Sequence, residues 1–275
     1  MLTEFCSTGA PAPVSRSTPA APVIQTLDRG LEVLRAFRAE RTPMTNAELV
    51  RRTGLPKATV SRMTTTLVAL GFLRRVGGGP RFALATGAHR IGQTYIESSP
   101  VARCVTPFMQ ALADRLRVSV SLAIPDRLDM LYVAQCTSAR IATLRIGVGS
   151  LLPMGWTASG RAWLSGLQAE VQARYIASLR QSAGPRADNM EQGIRAAFDE
   201  LKATGVCTSF GNFQRGAFGI AIPVTVGRSD TLMALACGAV DPQADTAAIA
   251  SRIAPELVAA SKALVDLLRD VDAQP

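Results

Sequence analysis

Gly54–Phe82 reads GLPKATVSRMTTTLVALGFLRRVGGGPRF, with a proline at its head, an apolar-periodic run in its middle and arginines around three glycines at its end. Proline suits the first helical position, because its missing N–H has no intrahelical partner there and its fixed φ is already helical. A helix is therefore expected to begin at Leu55 or Pro56. Val60, Met63, Leu67 and Leu70 fall at i, i+3, i+7 and i+10, which predicts one buried stripe, and Gly71 ends the helix. The opposite side carries Ala58, Arg62 and Thr65, with Lys57 and Ser61 on its flanks and no acidic residue. Beyond Gly71, FLRRV is apolar and basic, Gly77, Gly78, Gly79 and Pro80 supply a turn, and RFAL is the return strand of a hairpin.

Upstream, Gln25–Ala39 places Leu27, Leu31, Leu34 and Phe37 on a helical stripe, predicting a first helix. Thr45 precedes NAELVRR with Glu48 three residues on, the pattern of a capping box in which side chains satisfy the first free amides. A second helix is expected over Asn46–Thr53, and Gly54 allows a tight turn into the third. Short helix, Gly-containing turn and second helix make a helix-turn-helix, whose second member lies in the major groove. Lys57, Thr59, Ser61, Arg62 and Thr65 are the side chains this places near DNA. Arg62 is the candidate for a base contact, since Arg bonds two acceptors of guanine at once, whereas Ser, Thr and Lys more often hold phosphate. The hairpin becomes a wing, with Arg74, Arg75 and Arg81 reaching phosphates or a narrow minor groove.

The charge distribution supports this placement. The formal net charge is +9, yet twelve cations against four anions lie between Gln25 and Arg90, a surplus of eight, while residues 91–275 carry only +1. Such asymmetry fits a polyanion-binding module joined to a nearly neutral one. Hydrophobic residues at 48% allow a substantial core, and no apolar run reaches the ~18 residues that suggest a membrane span. The cysteines, at 6, 104, 136, 207 and 237, are odd in number and lack a C-x-x-C pair or a nearby histidine. Neither disulfides nor a structural metal is expected, and a reducing cytoplasm fits them as small apolar side chains. His89 is the only histidine, so common metal and nucleophile arrangements lose their usual participant. No catalytic residue and no cofactor is assigned.

The remainder alternates differently. Thr86–Glu97 predicts a linking helix, and Val101–Arg117 a helix burying Val105, Phe108, Leu112 and Leu116. SVSLAIP, DMLYVAQC and ATLRIGV are short and β-favouring, as are VCTSF, AFGIAIPV and TLMALACGAV. Helical patterns fill Ser159–Arg180, Met190–Thr204 and Thr246–Arg269. Helices around a mainly antiparallel sheet define an α+β domain. The expected organisation is a disordered tail over 1–22, a winged helix-turn-helix over 23–84, a linker helix over 85–99 and a second domain over 100–272.

Four stretches, LDRGLEVLRAF, LVRRTGLPKATVSRMTTTLVALGFLRR, VGSLLPMGWTASGRAWL and GNFQRGAFGIAIPV, resemble the IclR family of bacterial transcription regulators, and the likeness runs from Gln25 to Arg269. The resemblance implies a winged helix-turn-helix followed by a GAF-like effector-binding domain. It also implies a dimer or dimer of dimers on a palindromic operator, repressing or activating a nearby catabolic operon. In the family's effector pocket, Leu152 falls at the apolar loop contact, and Ala158 and Ser159 match small residues at a helix start. Ser209 corresponds to a position that is acidic in some members, Gly219 to one that can be Cys, and Ala236 and Gly238 to a pair that can be Ser. These last four departures remove hydroxyl and carboxyl partners, which points away from a glyoxylate- or pyruvate-like effector and toward a larger aromatic or hydrophobic acid. Backbone amides near Thr157–Gly160 are expected to hold its anionic group. A metabolite-sensing or enzymatic protein whose basic module docks another partner stands as the alternative, with the absence of a catalytic pair in residues 91–275 against it.

Overall fold

The computed structural model describes residues 23–38, 43–139, 141, 146–243 and 245–273. The tail expected over 1–22 and most of the strand expected at ATLRIGV lie outside these residues. The chain divides between Ile96 and Glu97 into two compact units.

The first unit comprises helices α1 (Gln25–Arg35), α2 (Asn46–Thr53) and α3 (Lys57–Ala69) and strands β1 (Met44–Thr45), β2 (Leu73–Arg75) and β3 (Arg81–Leu84). The strands form an antiparallel sheet in the order β1-β3-β2, with Arg75 opposite Phe82 and Phe82 opposite Met44. The expected hairpin is β2–β3; β1, two residues long, is too short to show any alternation. Val33, Phe37, Met44, Leu49, Val60, Met63, Leu67, Leu73 and Phe82 make the core. Helix α4 (Thr86–Ser98) then carries the chain into the second unit.

Three details differ from expectation. On α1 the buried side chain is Val33, with Phe37 just beyond the helix, while Leu27 and Leu31 are 61% and 43% exposed. The cause is that α1 meets the core only toward its end; at Gly30 an added Cβ would already contact Met63 Sδ at 3.7 Å, and the residues before it are exposed. On α3, Pro56 is the N-cap with an extended ψ of 143°, so the helix starts at Lys57. Leu70, the C-cap, is 64% exposed, and Thr64 takes its place inside. The Thr64 hydroxyl lies 3.0 Å from the Val60 carbonyl and 3.2 Å from Asn46 Oδ1, acceptors that let a polar side chain be buried.

The second unit is built on a six-stranded antiparallel sheet. In chain order it contains α5 (Pro100–Leu116), β4 (Ser119–Asp126), β5 (Asp129–Thr137), β6 (Leu151–Pro153), a 3-10 turn (Met154–Trp156) and α6 (Ala158–Ser165). There follow α7 (Ala169–Ala183), α8 (Ala187–Thr204), β7 (Cys207–Phe210), β8 (Ala217–Val226), β9 (Thr231–Val240) and α9 (Thr246–Leu268). The strand order is β6-β5-β4-β9-β8-β7, so the β4–β9 pairing joins the two halves. Alternation along the strands separates the two faces. Val120, Leu122, Ile220, Leu235 and Cys237 point to α5 and α9, and these make the main core. Their sequence neighbours Ser119, Ser121, Gly219, Ala236 and Gly238 face the other side, where α6 packs. Among the described residues no helix is long and apolar enough to cross a membrane.

Candidate functional site

Two surfaces have the chemistry of sites, one in each unit. In the first, the entry to α2 is locked by the capping box: Thr45 Oγ1 accepts from the Glu48 amide at 3.3 Å, and Glu48 Oε2 accepts from the Thr45 amide at 2.7 Å. The Thr45 hydrogen bonds, helped by Arg81 and Arg51, hold the Glu48 carboxyl below the usual range. Gly54, at φ 68°, closes α2 in the left-handed conformation and turns the chain into α3. Along α3, Lys57, Ala58, Ser61, Arg62 and Thr65 are exposed on one side, and Thr59 is half-buried at its edge. The Thr65 hydroxyl donates to the Ser61 carbonyl at 2.9 Å. The exposed face therefore offers two cations and no anion.

On the hairpin, Arg74, Arg75 and Arg81 are all exposed. Arg75 is held on the hairpin itself, its guanidinium 4.9 Å from the Phe82 ring centroid and its Nη1 3.4 Å from the Gly79 carbonyl. Separate from this basic surface, Ile24, Leu27 and Leu31 on α1 and its cap, and Ile91 and Tyr95 on α4, leave apolar side chains in solvent at helical spacing.

The second unit holds a cavity between the sheet and the start of α6. Its floor follows from the register. Ser119 pairs with Gly238, Gly238 with Gly219 and Gly219 with Ser209, which draws one row across β4, β9, β8 and β7. The neighbouring row runs from Gln135 through Ser121 to Ala236. Leu152, Thr157, Ala158 and Ser159 form the wall on the α6 side, and Phe213 and Tyr132 supply aromatic surface. All seven residues assigned to an effector pocket, Leu152, Ala158, Ser159, Ser209, Gly219, Ala236 and Gly238, thus line one cavity. Among the described residues its polar side chains are neutral, chiefly hydroxyls and one carboxamide.

Hydrogen bonds set what those polar groups can do. Thr157 caps α6, its Oγ1 accepting from the Gly160 amide at 3.4 Å and donating to the Pro153 carbonyl at 3.1 Å. The Gly160 amide is therefore occupied, which narrows the expected anion cradle to the amides of Ala158 and Ser159, where helix geometry supplies no acceptor. Ser209 donates to the Trp156 carbonyl at 3.0 Å. Tyr132 is hydrogen-bonded to Ser121 and Ser159, and burial pushes its phenol up. Behind the wall, Arg161 is 4% exposed; its Nε donates to the Gly155 carbonyl at 3.2 Å and its Nη2 to Asn212 Oδ1 at 2.8 Å, tying the 3-10 turn to the loop that bears Phe213. Desolvation lowers the Arg161 pKa, with Cys207 and Glu200 opposing it.

The sequence reading missed Ser119, Ser121, Tyr132 and Gln135. A β-bulge between Leu122 and Ala123 changes the β4–β5 register, so Tyr132 and Gln135, three residues apart, both face the cavity. The polar residues within two β-favouring runs were the available signal. Among the described residues, no group of three or more His, Cys, Asp or Glu is placed to hold a metal ion.

Comparison with known proteins agrees with both units. Residues 26–77 match the IclR helix-turn-helix domain, and residues 93–264 match the bacterial transcriptional regulator IclR C-terminal domain. The chain is similar to the Pca regulon regulatory protein of Pseudomonas putida, 27% identical over 86% of this chain and 82% of that one. It is also similar to the p-hydroxybenzoate hydroxylase transcriptional activator of Acinetobacter baylyi, 25% identical over 77% of this chain and 79% of that one. Among solved structures, an IclR family transcriptional regulator from Brucella abortus superposes with a TM-score of 0.80 at 29% identity, covering 89% of this chain and 92% of that one.

Proposed function

Because the chain belongs to the IclR family of bacterial transcriptional regulators, we propose that it governs a catabolic operon by binding a specific operator through α3 and a small aromatic acid through the cavity on α6. The carrying observation is that cavity: its described lining has neutral polar groups and aromatic surface beside the start of α6, a lining that suits one ring bearing one carboxylate. The carboxylate rests on the Ala158 and Ser159 amides at the helix N-terminus, and the ring takes the space left by Gly219, Ala236 and Gly238. A relative that activates transcription for p-hydroxybenzoate hydroxylase supports an aromatic acid as the signal.

In the first unit, Arg62 reads a guanine, Lys57, Ser61 and Thr65 hold phosphates, Thr59 steadies the edge of the contact, and Arg74, Arg75 and Arg81 extend it from the wing. The working form is a homodimer, with the exposed apolar stripes of α1 and α4 as the contact between copies, so that two reading helices about 34 Å apart span one DNA turn. The acid alters transcription by favouring one spacing of the paired helices, since equal affinity for both would shift nothing.

A genome-wide footprint of the purified full-length chain tests this reading when repeated with benzoate-type acids. Discrete sites whose occupancy changes with an acid are expected. Arg62→Ala should weaken the specific site by roughly 1–3 kcal/mol while sparing random DNA. Uniform weak binding to all DNA, with or without acids, rejects it.

A further inference from the structure

The polar groups around the cavity are not equally occupied. Ser119 and Thr137 hydroxyls lie 3.0 Å apart in a mutual hydrogen bond, Tyr132 engages Ser121 and Ser159, and Ser209 and Thr157 donate to the Trp156 and Pro153 carbonyls. Gln135 is different. It lines the same cavity, and its Oε1 is buried without a hydrogen-bond partner. A desolvated carbonyl oxygen left this way is unfavourable, and relief requires a donor.

A carboxylate cannot supply that donor, because it only accepts. Turning the amide over would put its Nε2 donor in that place instead, and a hydroxyl, which both donates and accepts, serves either orientation. The matching partner is a group that donates and also accepts, which on a ring is a hydroxyl. Position agrees with this. Gln135 stands on β5, whereas Ala158, at the amides proposed for the carboxylate, lies over Gly219 on β8, where an added methyl would meet its Cβ at 3.4 Å. The two lie three strand spacings apart, about 14 Å between backbones, so Gln135 addresses the end of a ligand remote from its acid.

We propose that the Gln135 carboxamide is a specificity-determining group that selects ring acids carrying a hydroxyl away from the carboxylate; this rests on reading the cavity as an aromatic-acid site. Ser121, its neighbour in register, lies beside the same subsite. A site whose buried acceptor is satisfied only by the hydroxyl discriminates against analogues that lack it.

The test is isothermal titration of the full-length protein with 3- and 4-hydroxybenzoate against 3- and 4-fluorobenzoate, which match them in outline and carry no donor. At least one hydroxy acid should bind roughly tenfold or more tightly than its fluoro counterpart, and Gln135→Leu should bring that ratio to within about twofold. Gln135→Met carries the same comparison if the leucine variant unfolds. Equal affinity across each pair in the unaltered protein, with binding still measurable, overturns the role of Gln135 and leaves the aromatic-acid reading standing. A hydroxyl preference that survives both variants does the same. If no ring acid binds while the operator is still bound, the aromatic-acid reading itself fails and the role of Gln135 falls with it.

Discussion

Gly160 shows how much of the site depends on a single missing side chain. A Cβ there would stand 2.0 Å from the Met154 carbonyl oxygen, a backbone atom that cannot swing aside. The 3-10 turn can lie against the start of α6 only because this position is glycine, and the cavity wall follows from that contact. Gly160→Ala is expected to destabilise the second unit by about 3 kcal/mol and to lower its Tm by roughly 6–12 °C in thermal denaturation. An unmoved melting curve would show that the turn can retreat at little cost. Cys207 and Cys237 illustrate the opposite situation, residues with reactive potential and no site. Burial pushes both thiols up to about 12, so near neutral pH they stay protonated and pack as small apolar groups.

At the scale of elements, the helix-turn-helix shows which signals a sequence carries and which it does not. The α2 boundaries and its capping box could be read in advance because Thr45 and Glu48 act within one turn, and local hydrogen bonding is encoded locally. The burial of α1 could not. Leu27 and Leu31 have the periodicity of a core stripe, but the core touches only the end of that helix, and periodicity alone does not say what lies opposite. Those leucines and Ile91 on α4 are exposed apolar side chains, the ones proposed above to join two copies. Leu27→Lys combined with Ile91→Lys should shift the protein toward monomer in sedimentation analysis while circular dichroism keeps its helical signal. A dimer that survives the pair of charges would relocate the interface.

Across the whole molecule, charge is segregated: nearly all of the positive excess belongs to the quarter of the chain that carries α3 and the wing. Operator binding should thus weaken steeply with salt, and Arg74→Ala should reduce the slope of log affinity against log salt by about 1, measured by fluorescence anisotropy over a salt series. A slope unaffected by that change would separate the wing from the phosphates. The seven cavity residues were reached through family likeness, since they come from five separated elements and no local pattern joins them. Gln135 and Tyr132 escaped that route because a register shift in the β4–β5 ladder places them together, and such an irregularity leaves no periodic trace. The floor has a practical consequence. Gly219 has ordinary clearance for a methyl, 3.4 Å from Ala158, whereas one on Gly238 would strike the Phe218 carbonyl at 2.8 Å. The bore of the chamber can be narrowed by one atom at Gly219 without disturbing the strand beside it or the DNA-facing unit, which makes this chain a chassis for breeding biosensors graded by the girth of the molecule they report.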